Sequence, residues 1–131
     1  MLAPGGTALC VTNSTTHLRE LYELIRTAFS SVTGVDHGPI ATSPEAFGVE
    51  NGADALATVF DDVELTTFDA ELVLIESGPA MAYAASMRPM HTVDGTVAER
   101  ICAEVGRLVD GAISVDGALR VRTSTGCFRC R

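Results

Sequence analysis

Thr12-Asn13-Ser14-Thr15-Thr16-His17 is the stretch richest in side chains that can move a proton, donate a hydrogen bond or cap a helix. It follows an apolar run, Thr7 to Val11, and precedes an amphipathic one, so it falls where a strand hands over to a helix. In open α/β sheets ligands bind at that edge, because helix N-termini and free loop amides face the crevice there. Thr12, Asn13 and His17 are therefore the candidate substrate-binding residues. The competing reading is that Asn13 and the hydroxyls only cap the helix, with His17 an exposed first-turn residue. The residues alone leave both open, and no side chain is assigned a catalytic role.

Other chemistry-bearing residues are dispersed. Cys127-Phe128-Arg129-Cys130 spells C-x-x-C, but it closes a segment, Leu119 to Cys130, that reads as a strand. Positions i and i+3 of a strand point to opposite faces, so the two sulfurs diverge, and a zinc site lacks its second pair. These cysteines, with Cys10 and Cys102, read as structural thiols. His17, His37 and His91 stand apart from one another, so no metal site is expected. Asp61-Asp62 reads as a solvated turn rather than an acid–base pair. Glycine-rich dinucleotide and P-loop signatures are absent, as is a G-x-S-x-G nucleophile elbow.

The 131 residues suffice for one domain, 1–131, without a disulfide or metal staple. The formal net charge of −8 opposes a nucleic-acid backbone, although Arg120, Arg122, Arg129 and Arg131 crowd the last dozen positions. No stretch approaches the roughly 20 apolar residues of a membrane span, and no signal segment opens the chain, so a cytoplasmic location is expected. Every basic side chain is Arg, which reads as codon bias of a GC-rich genome rather than a phosphate-binding design.

The elements follow from periodicity. Pro4-Gly5-Gly6 turns the chain into a strand at Thr7 to Val11 that is apolar on both faces, the pattern of a buried strand in a parallel sheet. Thr16 to Phe29 repeats apolar residues at three and four, an amphipathic helix. Residues 30 to 43 read as a loop, with a helical turn from Ser43-Pro44. Phe47 to Glu50 reads as extended, and Asn51 as the cap of a helix from Gly52 to Phe60 with Ala53, Leu56, Val59 and Phe60 inward. Asp62 to Phe68 and Leu72 to Ile75 are one strand or two; periodicity does not decide. A helix is expected from Gly78-Pro79 to Met87, stopped by Pro89, and a longer one from Thr96 to Ile113. Gly117 then releases the chain into a last strand, broken at Ser124-Thr125-Gly126, whose alternating apolar and Arg residues mark one wet face.

The opening Leu2-Ala3-Pro4-Gly5-Gly6-Thr7-Ala8-Leu9-Cys10-Val11-Thr12-Asn13, followed by His17-Leu18 and Glu20-Leu21, resembles the fifth strand and following helix of class I S-adenosylmethionine-dependent methyltransferases. Similar segments continue in order: Phe47 to Gly52, Phe60 to Leu65, Ala82-Tyr83 with Ser86-Met87, and Thr123 to Arg131, which is similar to the family's last antiparallel strand. The likeness covers nearly the whole chain. It implies an α/β, partial Rossmann-like methyltransferase fold: strands five to seven with flanking helices, the last strand antiparallel.

The departure is the donor pocket. The family's glycine-rich loop, ribose-binding acid and following cofactor loop belong to its N-terminal half, and none has a counterpart here. The resemblance thus implies a truncated or split methyltransferase that supplies the substrate side. It carries no cofactor-binding residue and does not bind S-adenosylmethionine alone. Thr12, Asn13 and His17 map near the active-site crevice, Asn13 or His17 orienting or deprotonating a small-molecule acceptor. The alternative is a non-catalytic small-molecule-binding or assembly protein that keeps the half-fold. A third reading is that the natural product begins upstream of Met1. A first strand short of a neighbour exposes free N–H and C=O groups, so a homo-oligomer or a complementary N-terminal half is the expected partner.

Overall fold

The structure, a computed structural model, describes residues 3, 5–36, 38 and 46–131. His37 and the Ser43-Pro44 turn lie outside the described residues. The chain is mixed α/β; among the described residues three strands form a sheet in the order β1-β3-β2. β1 is Ala8–Asn13, β2 Val63–Leu74 and β3 Leu119–Cys130. β3 runs antiparallel to β1, Ala8 opposite Cys130 and Asn13 opposite Thr125. It is also antiparallel to β2, since Asp62 and Arg131 exchange backbone hydrogen bonds of 3.2 and 2.9 Å just beyond the strand ends.

β1 is therefore not the buried strand of a parallel sheet that its apolar run suggests. Its partner is antiparallel, it stands at the border of the sheet, and Leu9 and Val11 are 67% and 68% exposed. β2 is one strand: Asp69-Ala70-Glu71 does not break it, because Asp69 accepts the Ser124 hydroxyl at 2.6 Å and Glu71 meets Arg120 at 2.5 Å. The Ser-Thr-Gly segment likewise stays within β3, although the buried positions change parity between Val121 and Ser124.

Two compact units divide the chain. The first is Met1–His17, Ala41–Ala70 and Arg122–Arg131. Its buried centre is Phe128, stacked obliquely on Phe47 with ring centroids 5.9 Å apart. Phe47 to Glu50 is a turn rather than an extended segment. Gly48 N–H donates to the Asn51 side chain at 2.7 Å and Gly52 N–H to Gly48 O at 2.8 Å, so Asn51 closes this turn instead of capping a helix. The helix that follows, α2 (Gly52–Leu56), is shorter than the expected Gly52 to Phe60; Ala53 is exposed and Val59 faces solvent. Cys130 lies buried beside Cys10 while Cys127, opposite Val11, takes the other face, as the period of two requires. Arg129 pairs with Glu64 and Arg131 with Asp62 across the β3–β2 border.

The second unit is Leu18–Ile40 and Glu71–Val121. It packs helices α1 (Arg19–Thr33), α3 (Gly78–Ser86) and α4 (Gly95–Asp116). Ile101, Val105 and Val109 recur every fourth residue along α4 and are fully buried, with Leu21, Ile25, Ala28 and Phe29 of α1 in the same core. Asp94 caps α4, accepting from Thr96 N–H at 2.9 Å, and Gly117 ends it at φ 79°. α3 ends at Ser86, and Pro89 stands inside a 3₁₀ turn, Arg88–Thr92. Tyr22 and Tyr83 join hydroxyls at 2.9 Å; burial raises the Tyr22 hydroxyl well above its usual range. α1 outruns the expected Phe29 limit because Gly34, at φ 73°, supplies the left-handed residue that closes it at Ser30 O.

Candidate functional site

The end of β1 is the candidate site, and long-range hydrogen bonds build it. Its local signal, the run of hydroxyls, predicts helix capping. The structure uses those hydroxyls differently. α1 starts at Arg19, three residues later than expected, with no side-chain cap at its N-terminus. Leu18 adopts a left-handed conformation, φ 56°, uncommon for a residue with a Cβ. The hydroxyls turn instead to Glu50: Ser14 Oγ donates to its carboxylate at 2.5 Å, and Thr15 donates from its N–H at 3.1 Å and its hydroxyl at 3.2 Å.

The Glu50 carboxyl lies below the usual range, chiefly because the Ser14 hydroxyl stabilises its charged form. A depressed folded-state value stabilises the fold above the ordinary carboxyl pKa of about 4.3 and loses that contribution as pH falls through the folded value. Glu50→Gln should therefore lower stability near neutral pH by about 1 kcal/mol, at the low end for a charged hydrogen bond because Glu50 is exposed. It should also flatten the stability loss between pH 5 and the acid limit, read by urea denaturation across that range.

Ser124, on β3, holds the other side. Its N–H donates to His17 Nδ1 at 3.1 Å, its carbonyl accepts from Ser14 N–H at 3.0 Å, and its hydroxyl donates to Asp69. An imidazole accepting at Nδ1 carries its proton on Nε2. With Nδ1 so engaged, Nε2 is the remaining hydrogen-bonding position of the His17 ring. Thr12 is committed to structure, its hydroxyl donating to Phe47 O at 2.7 Å. Asn13 accepts the Thr125 hydroxyl at 3.1 Å through its side chain and Val49 N–H at 3.2 Å through its carbonyl. By strand alternation its side chain stands on the face opposite Thr12 and Ser14, so the three sequence candidates share one strand end without converging on one point.

Glu50, Ser14, Ser124 and Asp69 were not among those candidates. Glu50 lies 36 residues from Ser14, and Ser124 107 from His17, separations with no local spacing signal. Among the described residues, every buried side-chain nitrogen or oxygen has a hydrogen-bond partner, and no three His, Cys, Asp or Glu are grouped to hold a metal ion. No helix among them is long and apolar enough to cross a membrane.

The chain matches no protein-family model and no curated protein.

Proposed function

We propose that this chain is the C-terminal, acceptor-side portion of a class I S-adenosylmethionine-dependent methyltransferase. The observation that carries the reading is the place of β1: among the described residues it is bonded on one side to the antiparallel last strand and has no strand on the other, where Val49 N–H meets only the Asn13 carbonyl and Leu9 and Val11 are exposed. The resemblance expects a neighbouring strand on that open side, from an N-terminal half that also holds the donor. The order of elements, β1 then α1 with a polar turn between them, supports the same reading.

In this reading the strands five to seven of a Rossmann-like sheet are β1, β2 and β3, and the end of β1 faces a small-molecule acceptor. Methyl transfer is largely the chemistry of the bound donor, and the protein's part is alignment. His17, donating from Nε2, orients an acceptor oxygen or nitrogen rather than deprotonating it; Glu50 and Ser124 hold the turn that aims it. Thr12 supports the turn, and Asn13 adds a carboxamide on the other face. Nucleic acid is not the partner expected in this reading; the net charge of −8 and the pairing of Arg120, Arg129 and Arg131 with Glu71, Glu64 and Asp62 support that expectation. A cytoplasmic setting goes with four free cysteines.

A non-catalytic binding or assembly protein is the second reading, favoured by the internal partners of Ser14, Ser124, Thr12 and Asn13. Complementation separates the two. Mixed with a fragment carrying the first four strands of such an enzyme, the chain should gain donor binding and protect the β1 edge amides from hydrogen exchange. Neither change would appear for an assembly protein.

A further inference from the structure

β1's outer edge has its own pattern. Ser14 N–H points to Ser124 O on β3, so by the alternation of an antiparallel ladder the even-numbered amides of β1 face β3. Leu9, Val11 and Asn13 then direct their backbone groups away from the sheet. Asn13's carbonyl is already taken by Val49; among the described residues, the N–H and C=O of Leu9 and Val11 have no backbone partner, and these two residues are symmetric about Cys10. The strand carries no charged side chain, in a chain whose net charge is −8. It is the strand along which two like-charged copies can approach without opposing charges.

We propose that a second copy of this chain pairs with the β1 edge, antiparallel, about a two-fold axis through Cys10. Leu9 lies across from Val11 of the second copy and exchanges both backbone hydrogen bonds with it; the reciprocal pair makes four in all. Leu9 and Val11 side chains, exposed in the single chain, share one face and form a four-residue apolar row across the axis. The two Cys10 residues form the narrow, non-hydrogen-bonded pair at the centre, with Cα atoms about 4.5 Å apart. That separation lies within the range of about 4.4–6.8 Å that a disulfide spans. The interface is small, so the dimer is weak and concentration-dependent. The inference rests on the preceding reading only in taking this edge as a docking edge; an N-terminal half would compete for it.

Sedimentation velocity from low-micromolar to near-millimolar chain, with diamide cross-linking, tests the pairing. Diamide takes two electrons and two protons from two thiols, leaving a disulfide and a hydrazine. The wild-type chain should shift toward dimer with concentration and give a reducible cross-linked dimer. Cys10→Ser should keep the shift and lose the cross-link. Val11→Lys should raise the dimer dissociation constant at least about tenfold by setting charge into the apolar row, whereas Phe68→Lys on β2 should leave it unchanged. A chain that stays monomeric throughout overturns the pairing, as does a cross-link that survives Cys10→Ser or a dimer broken by Phe68→Lys alone. Those results leave the acceptor-side reading intact; donor binding by the chain alone would remove that reading and leave the pairing.

Discussion

Phe128→Ala should cost about 3–5 kcal/mol, the largest loss available from one side chain of the first unit. Phe128 is fully buried, and its ring is bounded by Phe47 on one side and by the Gly52 backbone on another. Gly52 has no side chain to swing into the space, and Phe47 is tied through its carbonyl to Thr12, so the cavity cannot easily collapse. The damage reaches the candidate site by a short path. Phe47, Val49 and Glu50 lie on one turn, and each bonds the end of β1 or the residue after it. A fall in the urea midpoint should accompany faster hydrogen exchange at Ser14 and Thr15. A loss under about 1 kcal/mol would mean that this ring is not the centre of the unit.

Gly52→Ala approaches the same ring from the other direction. A Cβ there would stand 2.6 and 2.7 Å from two Phe128 ring carbons and 3.3 Å from Phe47, closer than atoms pack. Both neighbours are rings rather than flexible ends, so overpacking should cost about 2 kcal/mol even after the gain in helix propensity. Phe128→Leu, combined with Gly52→Ala, should recover part of that loss, a non-additivity read in a double-mutant cycle. Gly106 in the second unit marks the contrast. Its added Cβ would meet Met81 Sδ at 2.7 Å, but a thioether can turn aside, so Gly106→Ala should cost much less.

What the sequence disclosed about this fold follows from the range of the forces involved. α4 was legible because Ile101, Val105 and Val109 repeat at helical spacing and Gly117 closes the helix, all local facts. β3 was legible in its bounds, and the divergence of Cys127 from Cys130 followed from its period of two. The start of α1 was not, because Ser14 and Thr15 spend their hydroxyls on a carboxylate 35 or 36 residues away instead of on the helix. Phe47 to Glu50 looked extended because its β-prone residues hide a turn set by the Asn51 side chain. β2 looked divisible at Asp69 and Glu71, charges that become acceptable within a strand once β3 supplies Ser124 and Arg120 opposite them. For the site, the strand end carrying Thr12, Asn13 and His17 was visible in the residue types. The groups that fix it, Glu50 and Ser124, come from distant parts of the chain and became visible only with the pairing of the strands.

Isothermal titration of the purified chain with S-adenosylmethionine tests the central claim most directly. In the proposed reading this chain holds the acceptor side of a methyltransferase and none of the donor pocket. No saturable heat at micromolar ligand affinity is expected, with Glu50→Gln indistinguishable from the parent chain. Saturable one-site binding at micromolar strength would contradict that reading, because the chain would then contain the donor site proposed to lie in another polypeptide segment.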